Sequence, residues 1–341
     1  MSSELDKEPD TTSEITHSLV NMITELDGVP LPPVVKKNFF KAVNRLITEI
    51  VEVPATWLES KSQAIRDKTN ARSLITTESA KAAAKKFGSD EKLIERAVDY
   101  YGTRILREQY NREAITKAAL KELSSSSPDD ATNQEIDEDW LDMFSSIAEK
   151  RSNQEMQLYL AKLLAGEIKK PGSFHPLTVE VLARLTPDIA RNFQNICNIS
   201  TVISGFDPKN NSVICLVDNS PFIITEPYGQ PGENALSELG FSYVVLTQLQ
   251  DAGLIQYDFQ AWRELYVANF LLPIEVGGTV LQFTASEASS QEFLQEKRRV
   301  KVINFTTAGI QLRRIVDKTP NEKFLEKLKN WVSSTYKLQS I

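Results

Sequence analysis

Across residues 138–197 the apolar positions recur with a helical period and are interrupted by clear start and stop signals. Trp140, Phe144, Ile147 and Ala148 share one helical face. Ser152 and Glu155 then stand at capping-box spacing, so each can satisfy a free amide at a helix start. Met156, Tyr159, Leu160, Leu163 and Leu164 follow as the apolar face of a core helix. Lys169 and Lys170 sit at its negative end, and Pro171-Gly172 stops it. Pro176 suits the first position of the next helix, whose inner face is Val179, Leu182 and Leu185. Thr186-Pro187-Asp188 opens a fourth helix that turns Ile189, Phe193, Ile196 and Cys197 inward.

The flanks differ in texture. Residues 1–13 are polar and acidic and predict a disordered tail. A short helix over 15–26 ends at Asp27-Gly28, and Pro30, Pro32 and Pro33 form a stiff connector. Phe39, Phe40, Val43, Leu46, Ile47, Ile50 and Val51 make an apolar face opposed by Lys37, Lys41, Arg45 and Glu49. That helix ends before Pro54. Residues 55–87, and a helix capped by Ser89-Asp90 and running to Leu123, carry only narrow apolar seams. Long helices of that kind suit arms and oligomer contacts. The run SSSSPDD reads as a linker.

Beyond residue 200, β-branched runs at 212–218 and 221–225 read as strands. A helix over 241–251 leads through Gly253 into a strand at 254–258. Further strands are expected near 267–272, 279–283 and 299–305, then a helix from Thr306 and a last one from Asn321 to Lys337. The order of helix, strand, hairpin and FTTAGIQL resembles the second half of a winged helix. The expected fold is therefore mainly α with a C-terminal α+β part. Its parts are a tail (1–13), a long helical arm (14–123), a linker (124–134), a central helical bundle (135–200) and a winged-helix-like module (201–341).

Composition narrows the function classes. An apolar fraction of 41% and a charged fraction of 25% are those of an ordinary soluble chain. A net charge of −7 argues against general nucleic-acid binding. Cys197 and Cys215 lie in apolar surroundings and read as free thiols in a reducing compartment. The polar N-terminus is unlike a secretory signal, and no run approaches the ~20 apolar residues of a membrane span. A cytoplasmic location is expected.

Candidate chemistry is sparse. Asp129, Asp130, Glu135, Asp137, Glu138, Asp139 and Asp142 form an acidic run without the glycine and alternation of a calcium loop, so it reads as helix-start charge. His175 before Pro176 reads as a helix-start residue, and the only other histidine is His17. No nucleophile with a partner, phosphate loop or metal set stands out, so no catalytic, cofactor or metal residues are assigned and a non-enzyme is expected. Lys297, Arg298, Arg299 and Lys301 are the candidate nucleic-acid contacts; if the segment is extended, Lys297, Arg299 and Lys301 share a face. The helix over 241–251 would be the reading element, offering Ser242, Tyr243, Thr247, Gln248 and Gln250. No Lys, Arg or His occurs from Asn210 to Trp262, so that helix brings no cation for phosphate, and nucleic acid is not favoured as the partner. The Phe39 helix could lie on a membrane, although core or oligomer packing suits it better.

The segments EDWLDMF, SNQEMQLYLAKLLAGEIKKPGSF and LTVEVLARLTPDIARNF resemble the bacterial domain-of-unknown-function family 2806. PATWLESKSQAIRDKTNARSLI, TRILREQYNREAI, LQDAGLI and FTTAGIQL fit its remaining parts. More distantly, LAKLLAGEI followed by HPLTVEVLARLTPDIA is similar to the abortive-infection alpha family linked to phage defence. Neither family brings catalytic residues. The resemblance implies a bacterial protein of unestablished activity, with phage defence as its setting. With no catalytic motif and narrow apolar seams on the N-terminal helices, the expected function is a non-enzymatic homo-oligomer built on those helices and working through protein contacts, in phage defence or a stress response. A winged-helix DNA regulator is the alternative, and a peripheral membrane effector a further one.

Overall fold

A computed structural model describes residues 28–47, 91–125, 132–203, 205–207, 212–214, 220–229, 235–258, 260–285 and 291–340. The expected tail at 1–13, the helix at 15–26, the stretch at 55–87, residues 126–131 of the linker and Cys215 lie outside them. The chain divides into two compact units, Met1–Ser173 and Phe174–Ile341, each mixing the elements that its own sequence signals specify. The boundary falls inside the stretch read from the sequence as one central bundle.

In the first unit, α1 (Pro33–Ile47) buries Val35, Phe39, Ala42, Val43, Leu46 and Ile47. The face weighed above for a membrane surface is thus in the core. Its cationic flank meets the acidic run: Lys37 and Lys41 both pair with Glu135, and Arg45 pairs with Asp142. Hydrogen bonds from Lys37 and Lys41 hold the Glu135 carboxyl down at about 2. α2 (Glu91–Ser124) has 34 residues, and its second half buries Ile115, Ala119, Leu120 and Leu123. That half packs on α4 and α1. It does not stand apart from the bundle, because its narrow seam continues into one wide enough to be buried.

α3 (Glu138–Ala148) is capped by Asp137, which accepts from the Trp140 N–H at 2.8 Å. It buries Trp140, Leu141, Phe144 and Ala148, with the first and third stacked at 5.2 Å. α4 (Gln154–Lys169) is capped by Asn153 rather than by Ser152: the Asn153 Oδ1 accepts from the Met156 N–H at 3.1 Å. The Ser152 hydroxyl instead accepts from Asn111 at 3.1 Å. Adjacent Ser and Asn are both competent caps, and the tertiary bond from α2 decides between them.

Buried polar groups fix how these helices meet. The Asn38 amide, fully buried, donates to the carbonyls of Gln134 (2.9 Å) and Ile168 (3.1 Å) and accepts from the Ile136 N–H (3.0 Å). On α2, Asn111 donates to the Glu149 carbonyl at 2.8 Å and accepts from Gln157 at 3.2 Å. Beside it, Arg112 pairs with the Glu149 carboxylate at 2.9 Å.

The second unit begins with α5 (Pro176–Arg184) and α6 (Pro187–Cys197). Each has Pro in its first turn, and they are capped by His175 and Thr186. Strands follow: β1 (Thr201–Ile203), β2 (Gly205–Asp207), β3 (Ser212–Ile214) and β4 (Phe222–Ile224). After two 3₁₀ turns come α7 (Tyr243–Asp251), β5 (Ile255–Gln256) and β6 (Trp262–Tyr266). Residues Val267–Leu271 form a 3₁₀ turn where a strand was expected. The Asn269 side chain accepts from the Tyr266 N–H at 2.7 Å and ends the strand there. An apolar run that is buried, as Val267, Ala268 and Phe270 are, does not by itself distinguish strand from turn.

β7 (Ile274–Val276), β8 (Thr279–Leu281), β9 (Phe283–Ala285) and α8 (Gln291–Leu294) precede the long β10 (Lys297–Phe305). α9 (Thr307–Arg313), α10 (Glu322–Tyr336) and β11 (Leu338–Ser340) complete the unit. The main sheet is antiparallel, in the order β5-β10-β4-β1-β7-β8, with β6 also paired to β10. α9 packs on α5, where Gln311 Oε1 accepts from the Thr178 hydroxyl and the His175 N–H, the latter at 2.9 Å. Gly309 lets the start of α9 press on the sheet end, since a Cβ there would lie 2.0 Å from the Leu254 carbonyl oxygen.

Leu163 on α4 is fully buried. Leu163→Ala should cost about 2–5 kcal/mol in urea unfolding. A change below ~0.5 kcal/mol, the range of an exposed position, would show that α4 faces the other way.

Candidate nucleic-acid interface

Lys297, Arg298, Arg299 and Lys301 all lie at the start of β10, whose ladder partner over this stretch is β6, while on its other side the Thr225 N–H donates to the Lys301 carbonyl at 3.1 Å. Its register sets Lys297 opposite Tyr266, Arg299 opposite Glu264, and Lys301 opposite Trp262. Alternation along a strand then puts Lys297, Arg299, Lys301, Tyr266, Glu264 and Trp262 on one face. On the other face Val300 is buried. The structure therefore brings together the three cations expected to share a face and separates Arg298 from them.

Each of the first three cations has an acid nearby. Lys297 and Arg299 both lie 3.7 Å from the Glu264 carboxylate, and Arg298 binds Glu296 at 2.7 Å. The Arg299 guanidinium lies over the Trp262 ring at 4.1 Å, and the Lys297 ammonium over Tyr266 at 5.3 Å. Lys301 is half-buried, and its backbone N–H donates to Glu226 at 3.1 Å.

The helix expected to read bases is α7. Ser242 is spent as its cap, accepting from the Val245 N–H, and Gln250 accepts from the Tyr257 N–H at 2.7 Å. The Thr247 hydroxyl donates to the Tyr243 carbonyl at 2.9 Å. Tyr243, Val244, Gln248 and Asp251 remain exposed, so the outer face of α7 is partly apolar, ends in an acid and carries no cation.

Among the described residues, His175 and Cys197 serve the fold. The Nδ1 of His175 accepts from the Leu177 N–H at 3.2 Å, as a helix cap. Burial pushes the Cys197 thiol up to about 12, far from a reactive thiolate. Among the described residues no group of three or more His, Cys, Asp or Glu is placed to hold a metal ion, and no helix is long and apolar enough to cross a membrane.

Sequence reasoning missed one buried ionic centre. Arg313, at the end of α9, donates to the Ser200 hydroxyl at 2.6 Å and to Glu275 on β7 at 2.7 Å. Burial, and next the Arg313 charge, lower the pKa of Lys318 beside it. Nothing in the spacing marked Arg313, which reads as an ordinary helix-end cation. Arg263, one residue past the cation-free stretch, was also missed; it donates to Asn304 at 2.9 Å and covers the Phe222 ring at 4.3 Å.

The family described as "Protein of unknown function (DUF2806)" matches residues 95–329, well over half of the chain. No curated protein and no solved structure matches.

Arg313→Met would leave Glu275 without its cation. Because Glu275 keeps about a third of its exposure, the loss should be about 2–3 kcal/mol, below that of a fully buried pair. Urea unfolding checks it, and a neutral result would make Arg313 a bystander.

Proposed function

The chain belongs to the DUF2806 family, and from that starting point we propose that it is a non-enzymatic cytoplasmic protein that self-associates and works through protein–protein contacts. The observation that carries this reading is the surface of α2. Within eleven residues it exposes Tyr100 (63%), Ile105 (53%) and Tyr110 (71%), and Leu158 on α4 is exposed as well. Single exposed apolar side chains are common, but three large ones within about three turns of one helix, spread around it, favour a partner that reaches more than one side of α2. Residues with chemical potential support the same reading, since His175 caps a helix and Cys197 is sealed in the core. The likeness of the α4–α5 region to the abortive-infection alpha family suggests phage defence or a stress response as the setting.

The second reading is a winged-helix DNA regulator. The order α7, β5 and the β6–β10 ribbon favours it, being that of a reading helix followed by a wing. Charge weighs against it: α7 brings no cation, and the acid Glu264 stands among the ribbon cations, where a phosphate backbone would meet it. A membrane effector would need the apolar face of α1, which is buried.

A chain beginning at Pro128 would lose α1 and α2 and bare the core face of α4, so self-association is better tested on the surface. Tyr100→Glu with Ile105→Glu should lower the mass measured by sedimentation and leave the melting temperature within about 4 °C, as exposed positions do. A wild-type chain that is monomeric at every concentration would overturn the proposal.

A further inference from the structure

We propose that the outward face of the β6–β10 ribbon docks an extended acidic segment of a partner protein. This surface is separate from the self-association of α2 and does not depend on it.

Charge comes first. The chain carries −7 overall, yet this face sets Lys297, Arg299 and Lys301 beside Glu264, with Glu226 accepting from the Lys301 backbone at its end. Such a contrast selects an anionic partner and steers its approach. Spacing comes second. The three cations stand at every second residue of one strand, roughly 6.6 Å apart. An extended chain with carboxylates at alternate positions matches that step.

The cations are also positioned without being used up. At 3.7 Å from Glu264, Arg299 and Lys297 feel its field but lie beyond hydrogen-bond reach of it. Their aromatic neighbours hold them from the other side, with the guanidinium lying over Trp262. An incoming carboxylate therefore meets pre-set donors and costs less side-chain ordering. Trp262 is 46% exposed, and Trp, Tyr and Arg are the residue types that concentrate binding energy at protein interfaces.

The same geometry disfavours a nucleic-acid strand. Glu264 stands in the middle of the ladder, opposite Arg299. A strand with a phosphate at every nucleotide would set charge against it, whereas a peptide can place a neutral side chain there. A protein partner thus satisfies all six positions of the face.

The test uses the full chain and a fluorescein-labelled peptide of about ten alternating Glu and Thr residues, which favours an extended form with its acids on one face. Its isomer with the glutamates in one block and a labelled oligothymidylate strand are the comparison probes. Fluorescence anisotropy should show saturable binding of the alternating peptide, about tenfold tighter than the block isomer and tighter than the oligonucleotide. Arg299→Glu and Trp262→Leu should each weaken it about tenfold, while Arg184→Glu, an exposed cation on α5, should leave it unchanged. Lys297→Gln, at a position already exposed, gives a milder variant whose circular dichroism should match the wild type. No saturable binding, equal binding of the two peptides, indifference to Arg299→Glu, or tighter binding of the oligonucleotide would each overturn the proposal.

Discussion

The first unit depends on one constraint: an amide buried among helices must find its partners inside the protein. Asn38 is fully buried and makes three hydrogen bonds, reaching the end of α4 and the segment that enters α3. Leaving such a group unpaired costs ~1–3 kcal/mol, so only the arrangement that satisfies it is stable. Asn111 and Gln157 act alike between α2 and the start of α4. Apolar stripes bring these helices together, and the amides choose one register among the many that would bury similar area.

The second unit uses charge for the same end. Arg313 joins β7 to the loop after α6 through Glu275 and Ser200. Gly277 permits the close approach nearby, because a Cβ there would lie 2.1 Å from the Asn198 carbonyl oxygen. With the sheet so anchored, β10 extends past β4 and carries its first residues out on β6. The long strand exposes one face of a two-stranded ribbon while its far half is buried. That geometry leaves basic and aromatic side chains together in solvent in an acidic protein.

Local signals and tertiary choices were not equally legible in the sequence. Pro176, Thr186, Thr306 and Asn321 mark helix starts that the structure reproduces, because caps are decided within four residues. The face of α4 was legible for the same reason. Choices made by distant residues were not: Ser152 gave way to Asn153 once Asn111 claimed it, and Asn269 ended β6 before an apolar run that looked like a strand. The division at Ser173 was hidden because α4 and α5 have similar apolar faces, and only their partners, α2 for one and α9 for the other, separate them. At the candidate site, alternation revealed the shared face of Lys297, Arg299 and Lys301. Glu264 and Trp262 belong to another strand, and pairing alone brings them there.

The proposed self-association and the proposed acid-seeking ribbon both describe a protein that meets other proteins. The measurement that bears most directly on this is affinity for duplex DNA between about 50 and 200 mM salt. It compares the wild type with a variant carrying Gln at Lys297, Arg298, Arg299 and Lys301. Protein contacts as the basis of function predict weak binding, with a shallow salt slope that the variant scarcely alters. Tight binding with a steep slope, losing roughly one unit for each phosphate contact removed in a variant that still folds, would contradict it and make the protein a DNA-binding regulator.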